Sequence, residues 1–336
     1  MLKVGIIGFG LMGRTHFSAW QACDDAEVVA LCDTIFADGS SLQTIKGNIG
    51  DAEAVNLDGI KLYTDCDEMF GECELDAVSI TLPTFLHKDF TVKAIEAGVN
   101  VLCEKPMALN VDDCRVMADT AGKHNKVLQI GHCIRFWPEY IKAKEIIDSG
   151  KYGKLIFGNF YRLSPNPGWS GSSWFNDEKS SGGMTLDLHI HDTDFILYLL
   201  GTPRAVSSSA TKSGSVITHI QTNYIFDDDI TIMAEGSWAM AKTFPFRMGF
   251  IIGLEKATLE FNSAAGTGLT IFPDDGEKIS PEIDRNSGYI NEIVHFAAEV
   301  SGRKMPEVLT PQESMQSVAV TLAEKESAAN GKPVQL

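Results

Sequence analysis

The chain is short of positive charge, of long apolar runs and of paired cysteines. Its 336 residues carry 28 Lys and Arg against 45 Asp and Glu, a formal net charge of -17. Nucleic acids and anionic membranes draw affinity from basic patches, so this balance argues against both as partners. It does not exclude an anionic cofactor, because backbone amides bind phosphate on acidic proteins as well. No apolar run approaches the roughly 20 residues that a membrane helix needs. The first residues, Met-Leu-Lys-Val-Gly-Ile-Ile-Gly, enter a strand with no basic segment and no cleavage site, so a cytoplasmic protein is expected. The seven cysteines are odd in number and no two form a C-x-x-C. Buried free thiols in a reducing compartment are therefore expected. Internal repeats and low-complexity tracts are absent as well.

What is present is an ordinary globular mix, 44% apolar and 22% charged, in a length that suits two domains. The first part alternates apolar strands with helical stretches. Strands are predicted at 3–8, 27–33, 61–65, 76–82, 100–104 and 126–132, and helices at 12–22, 86–97 and 111–124. Runs such as Val-Gly-Ile-Ile and Ala-Val-Ser-Ile are near-continuously apolar, the pattern of strands covered on both faces. This predicts a doubly wound parallel sheet over residues 1–128. Between Thr34 and Gly59 one short helix and loops are expected. After a helix near 139–149 the pattern changes to period-two alternation, at 154–163, 216–226, 230–239, 247–254, 257–262 and 269–272. A second α/β domain, 129–336, with a large, open, mostly antiparallel sheet follows from it. One helix at 183–200 interrupts this sheet, and two more, at 289–301 and 312–330, end the chain.

The strongest local motif is Gly8-Phe9-Gly10-Leu11-Met12-Gly13, a G-x-G-x-x-G that follows an apolar strand and opens a helix. Gly8 permits a tight turn, Gly10 lets the backbone approach a pyrophosphate, and Gly13 lets the helix pack on the strand. The amides of Phe9, Leu11 and Met12 belong to the same cradle. Asp33 ends the second strand, where a carboxylate accepts hydrogen bonds from the adenosine ribose. Its charge repels a 2′-phosphate and Thr34-Ile35-Phe36 offers no arginine. NAD is thus favoured over NADP, with NADP left open by Lys46.

Ligands in such folds bind beyond the carboxyl ends of the strands. Thr81 and Pro83 end the fourth strand, with His87 opening the next helix. Glu104-Lys105-Pro106 follows the fifth, so Lys105 is expected to point into the cofactor cleft, although an exposed lysine in a turn reads the same way. In the second half, Asp187, His191 and Asp194 are spaced i, i+4, i+7 and share a helix face. A histidine among carboxylates suits general acid–base work; a satisfied buried polar cluster is the bland alternative. His189 and His191 diverge by about 200° on a helix, so no metal site is expected. Arg135, Tyr289, Trp169 and Trp174 are further candidates for substrate contact, the tryptophans lying in a Pro/Gly/Ser-rich loop where ordinary packing competes with sugar stacking.

The ordered set resembles the glucose–fructose oxidoreductase / inositol dehydrogenase / MocA family. It comprises the N-terminal glycine motif, Pro83 with His87, Glu104-Lys105-Pro106, Gly182-Gly183, and Asp187-x-x-x-His191-x-x-Asp194. The resemblance runs nearly the whole chain, to Glu324-Lys325-Glu326-Ser327-Ala328. It implies a Rossmann domain and a sheet domain used for homodimer or homotetramer contacts. It also implies a catalytic set of Lys105, Asp187 and His191, and hydride transfer between nicotinamide and a secondary hydroxyl of a sugar, inositol or related polyol. A cofactor-cycling sugar enzyme with no net redox change and a catalytically silent dinucleotide-binding regulator are the alternatives.

Overall fold

The structure, a computed structural model, describes residues 1–37, 55–167 and 177–336. It divides into two compact units, Met1–Cys133 with Ser287–Gln316, and Ile134–Asn286 with Ser317–Leu336.

The first unit is built on six strands: β1 (Leu2–Ile7), β2 (Ala26–Cys32), β3 (Lys61–Tyr63), β4 (Ala77–Ile80), β5 (Asn100–Glu104) and β6 (Leu128–Gly131). Their order is β3-β2-β1-β4-β5-β6, and every neighbouring pair is parallel. Helices α1 (Leu11–Gln21), α2 (Cys66–Glu72), α3 (His87–Glu96) and α4 (Val111–His124) make the crossovers. The strand order reverses between β1 and β4, and a crevice for ligands opens at such a switch point. The core joins Val4, Ile6, Leu31, Ala77 and Leu102 of the sheet to Phe17 and Trp20 of α1. Helix α8 (Gly288–Val300) completes it with Ile293, Phe296 and Ala297. A linear division at residue 128 omits this return of the chain. It is tertiary packing of an apolar helix face, which the order of residues does not reveal.

The second unit holds β7 (Leu155–Leu163), β8 (Ala205–Ser213), β9 (Val216–Ile225), β10 (Thr231–Ser237), β11 (Arg247–Leu254), β12 (Ala257–Asn262), β13 (Thr270–Pro273) and β14 (Val334–Gln335). Their order is β13-β12-β11-β7-β10-β9-β8-β14. All pairs are antiparallel except β7 with β10, so the mostly antiparallel sheet is mixed at its centre. Helix α5 (Pro138–Asp148) places Tyr140 against Phe195, Phe250 and Phe261, with ring centroids 4.8, 5.1 and 5.7 Å away. All three pairs are edge-on, the arrangement favoured by the ring quadrupole.

Strand β8 and helix α2 are among the elements that had no clear signal in the sequence. Strand β8 reads Ala-Val-Ser-Ser-Ser-Ala-Thr-Lys-Ser, a loop-like composition made extended by pairing with β9. Helix α2 is short and depends on the Asp65 side chain, which accepts from the Asp67 amide at 2.7 Å. A short helix, α6 (Glu178–Ser181), precedes the helix expected at 183–200, which runs through a π-helical turn, Thr185–His189, into α7 (Ile190–Leu200). Gly182 and Gly183, at φ 77° and 74°, mark the join between the two. Among the described residues no helix is long and apolar enough to cross a membrane.

Candidate active site

The glycine turn leaves β1 at Gly8, whose φ of 91° suits glycine. A Cβ at Gly13 would lie 2.1 Å from the Gly8 carbonyl oxygen, so this contact between helix and turn admits no side chain. A Cβ at Gly10 would meet nothing within 4 Å. The first and third glycines are thus required by the turn itself, and the middle one faces open space. Helix α1 starts at Gly10 with no side-chain cap and no acidic residue in its first turn. Its orphan amides and positive dipole end are therefore available to an anion. These features fit a dinucleotide pyrophosphate. Leu11 and Met12 are half-buried at this start, and Phe9 is fully buried.

Asp33 reaches back to the turn. Its Oδ2 accepts from the Phe9 amide, and its Oδ1 from the Ile35 amide at 3.0 Å. The carboxylate is held in place beside the helix start. It also occupies the Phe9 amide, which was expected to serve the phosphates. Lys46, the one cation weighed for a 2′-phosphate, lies outside the described residues.

Thr81, His87 and Glu104, candidates for cofactor contact, make hydrogen bonds within the first unit. The Thr81 hydroxyl donates to the Gly8 carbonyl at 2.6 Å and closes the turn. His87 is 1% exposed, with Nδ1 and Nε2 each 2.8 Å from a carbonyl oxygen, of Pro106 and Leu82 respectively. It ties the end of β4 to the end of β5, and burial pushes its pKa down. Glu104 is 5% exposed and turned inward. Its Oε1 meets His16 Nε2 at 3.0 Å, and its Oε2 accepts from the Lys105 amide at 3.1 Å. Behind it, Ser79 Oγ meets His16 Nδ1 at 3.1 Å and accepts from Trp20 Nε1 at 2.8 Å. Burial alone would raise the Glu104 carboxyl; His16, then Lys105 and His87, outweigh it and hold the carboxyl below its usual range. Pro83 is half-buried at the start of the turn Thr84–Leu86. Lys105 is half-buried and precedes a cis peptide bond to Pro106.

In the second unit, the stretch 187–194 is clamped from three sides. His189 Nε2 lies 3.1 Å from Glu324 of helix α9 (Pro311–Asn330), both side chains fully buried. Glu324 also accepts from the Thr193 hydroxyl at 3.0 Å. Arg162 of β7 pairs with Asp192 at 3.1 Å. Asp192 is fully buried, and desolvation raises its pKa against the pull of Arg162 and His189. Arg135 donates from Nε and Nη2 to Asp194, both at 2.9 Å, and Ser317 adds a bond of 2.8 Å to the same carboxylate. Asp194 is thus paired with Arg135, which is 2% exposed and serves as its internal counter-ion. The π-helical turn changes the residues-per-turn count between 187 and 194, so i, i+4, i+7 spacing no longer describes one face. Asp187 is half-buried, while Asp192 and Asp194 are fully buried.

Tyr289 packs against the core of the first unit and its phenol bonds the Cys133 thiol; burial pushes its pKa well up. It is half-buried there. Trp169 and Trp174 lie outside the described residues. The sequence reading passed over His16, Ser79 and Arg162, and took Glu324 only as part of the family resemblance. A usable signal existed for His16, an ionisable residue on the buried face of α1 beside Phe17 and Trp20.

Fold and turn together define an NAD-binding Rossmann domain followed by a sheet domain with a buried ionic helix. The chain belongs to the Gfo/Idh/MocA oxidoreductase family. Residues 2–132 match its "oxidoreductase family, NAD-binding Rossmann fold" model and residues 140–260 its C-terminal domain model. The chain is 30% identical to D-glucoside 3-dehydrogenase of Escherichia coli (strain K12) over 258 residues, 76% of this chain and 69% of that protein. It is 29% identical to scyllo-inositol 2-dehydrogenase (NAD(+)) of Bacillus subtilis (strain 168), covering 100% of this chain and 96% of that one. Against other curated relatives at 30% identity, the match spans only 58% and 56% of their length. Among solved structures, aldose-aldose oxidoreductase of Caulobacter crescentus superposes with a TM-score of 0.83 at 20% identity, over 100% of this chain and 99% of that one, a likeness of fold.

Proposed function

We propose that this protein is an NAD-dependent dehydrogenase acting on a secondary hydroxyl of a sugar, an inositol or a related polyol. The observation that carries the reading is the division of labour along 187–194. His189, Asp192 and Asp194 are committed to Glu324, Arg162 and Arg135. This ionic frame stiffens the stretch that presents Asp187 and His191, and rigid support is what a catalytic group requires. The nicotinamide, when bound, accepts or returns the hydride. His191 takes the hydroxyl proton, and Lys105 donates to the same oxygen and stabilises its developing negative charge. Asp187 orients the substrate through a neighbouring hydroxyl. Asp33 selects NAD by accepting from ribose hydroxyls and repelling a 2′-phosphate.

The relatives named for glucoside and inositol substrates support the substrate class. The test is absorbance at 340 nm with NAD and with NADP, against inositols, aldoses, glucosides and sugar acids. Reduction of NAD in preference to NADP with one of these groups is the expected result. No reduction of either nucleotide by any of them would overturn the reading.

A further inference from the structure

The turn that carries Asp187 is unusual in its backbone. The Ile190 amide donates to the Thr185 carbonyl, five residues back rather than four, so Thr185–His189 is a π-helical turn with Asp187 at its middle. Such turns are rare, occur mostly singly within helices, and gather at functional sites. The extra residue stays in register only if contacts from outside hold both ends of the turn.

Helix α9 supplies those contacts through two consecutive residues. At the exit, His189 is 0% exposed and its Nε2 lies 3.1 Å from Glu324 Oε2, while Glu324 Oε1 accepts from the Thr193 hydroxyl at 3.0 Å. Strand β10 leaves room for the ring, since a Cβ at Gly236 would lie 2.8 Å from His189 Nδ1. At the entry, Lys325 Nζ lies 2.6 Å from Glu178 Oε1 of α6 and donates to the Gly182 carbonyl at 3.2 Å. The same carbonyl accepts at 3.4 Å from the hydroxyl of Thr185, the first residue of the π-helical turn. A Cβ at Gly182 would lie 2.5 Å from Leu186 Cδ1, so the chain passes this point with no side chain of its own. Neighbours on a helix point about 100° apart. One short stretch of α9 therefore reaches inward with Glu324, 0% exposed at its side chain, and sideways with Lys325, 20% exposed. An ammonium offers three donors, which lets one lysine bridge a carboxylate and a carbonyl.

We propose that Lys325 is the positioning residue for Asp187: by tying Glu178 and the Gly182 carbonyl to α9 it fixes the entry to the π-helical turn, as Glu324 fixes the exit. The substrate-facing part of this rests on the dehydrogenase reading above, in which Asp187 orients a hydroxyl of the sugar or polyol. Methionine at position 325 keeps the apolar stem and removes the donor, so it separates the tether from packing.

The experiment is amide hydrogen exchange of the full chain, read by mass spectrometry, on wild type, Lys325→Met and Lys325→Arg. Loss of hydrogen bonds from a charged donor should speed exchange over 184–190 by about tenfold or more in Lys325→Met, with β9 and β10 unchanged. Lys325→Arg, which keeps a cationic donor at that place, should exchange close to wild type. Unchanged exchange over 184–190 in Lys325→Met would overturn the proposal. Equal acceleration through β9 and β10, the mark of a general loss of stability, would overturn it too. If Lys325→Met does not fold, Glu178→Gln weakens the same tether from a side chain that is 33% exposed, and is read the same way. Turnover gives the second readout, with whichever inositol, aldose, glucoside or sugar acid reduces NAD in the wild type. Lys325→Met should raise the KM for that compound and leave the KM for NAD in place; two unmoved KM values would overturn the link to Asp187. A wild type that reduces neither nucleotide with any of these compounds would fell the dehydrogenase reading, and the exchange result would still decide the tether.

Discussion

Replacing Arg135 by Met removes the cation of a fully buried pair and leaves its carboxylate behind. Asp194 is 0% exposed; its carboxylate accepts from Arg135 Nε and Nη2 at 2.9 Å and from the Ser317 hydroxyl at 2.8 Å. Arg135→Met removes both guanidinium bonds and keeps the Ser317 bond. Losing one partner of a buried pair costs about 3–5 kcal/mol, because an unpaired charge stays in a low dielectric. Methionine retains apolar contact with the Tyr198 ring, over which the guanidinium sits at 4.5 Å, so packing contributes little to this loss. With a urea slope of about 3 kcal/mol per molar, the unfolding midpoint should fall by more than about 1 M. The double variant Arg135→Met with Asp194→Leu should recover most of that, since apolar groups of similar volume often replace a buried pair at little cost. Urea unfolding followed by circular dichroism, on wild type, both single variants and the double, closes the cycle. A single-variant loss below about 1 kcal/mol, the size of a surface pair, would refute the reasoning. So would additive losses in the double variant.

His191→Ala should lower kcat by about 10²–10⁴-fold, the usual worth of general acid–base help, with NAD affinity by calorimetry unchanged; wild-type turnover would remove His191 from the mechanism. Asp33→Ala should weaken NAD more than NADP in the same titration, and an unchanged ratio would show that the carboxylate serves only the turn. Stability should also depend on the buried His87, whose folded pKa is depressed by burial. That contribution is present above the unfolded value of about 6.5 and is lost as pH falls from there through the folded value. Glu104 is depressed too, but its contribution fades only below about pH 4.3. Denaturation midpoints from pH 7 to 5 should therefore decline in the wild type and flatten in His87→Leu.

Much of this protein was legible in the order of its residues. Gly8, Gly10 and Gly13 act through the backbone, whose demands are local, and the structure places each as the motif requires. The parallel strands showed themselves because a strand covered on both faces must be apolar throughout. The antiparallel hairpin of β9 and β10 showed itself because one covered face imposes alternation. Strand β8 did not, since its serines become a strand only by pairing with β9.

Which charges meet was decided by the tertiary structure. The sequence alone made Asp187, His191 and Asp194 one group and left Arg135 for substrate. Yet Arg135 lies 59 positions from Asp194, and Ser317 lies 123 from it. His16 and Glu104 are 88 apart, and His189 and Glu324 are brought together from different helices. Spacing along a helix reports only which residues share that helix. A buried charge needs a partner wherever the fold can supply one, and no local pattern carries that information. The order of residues therefore determined the class of fold and the cofactor turn, while the fold decided which ionisable groups pair with one another.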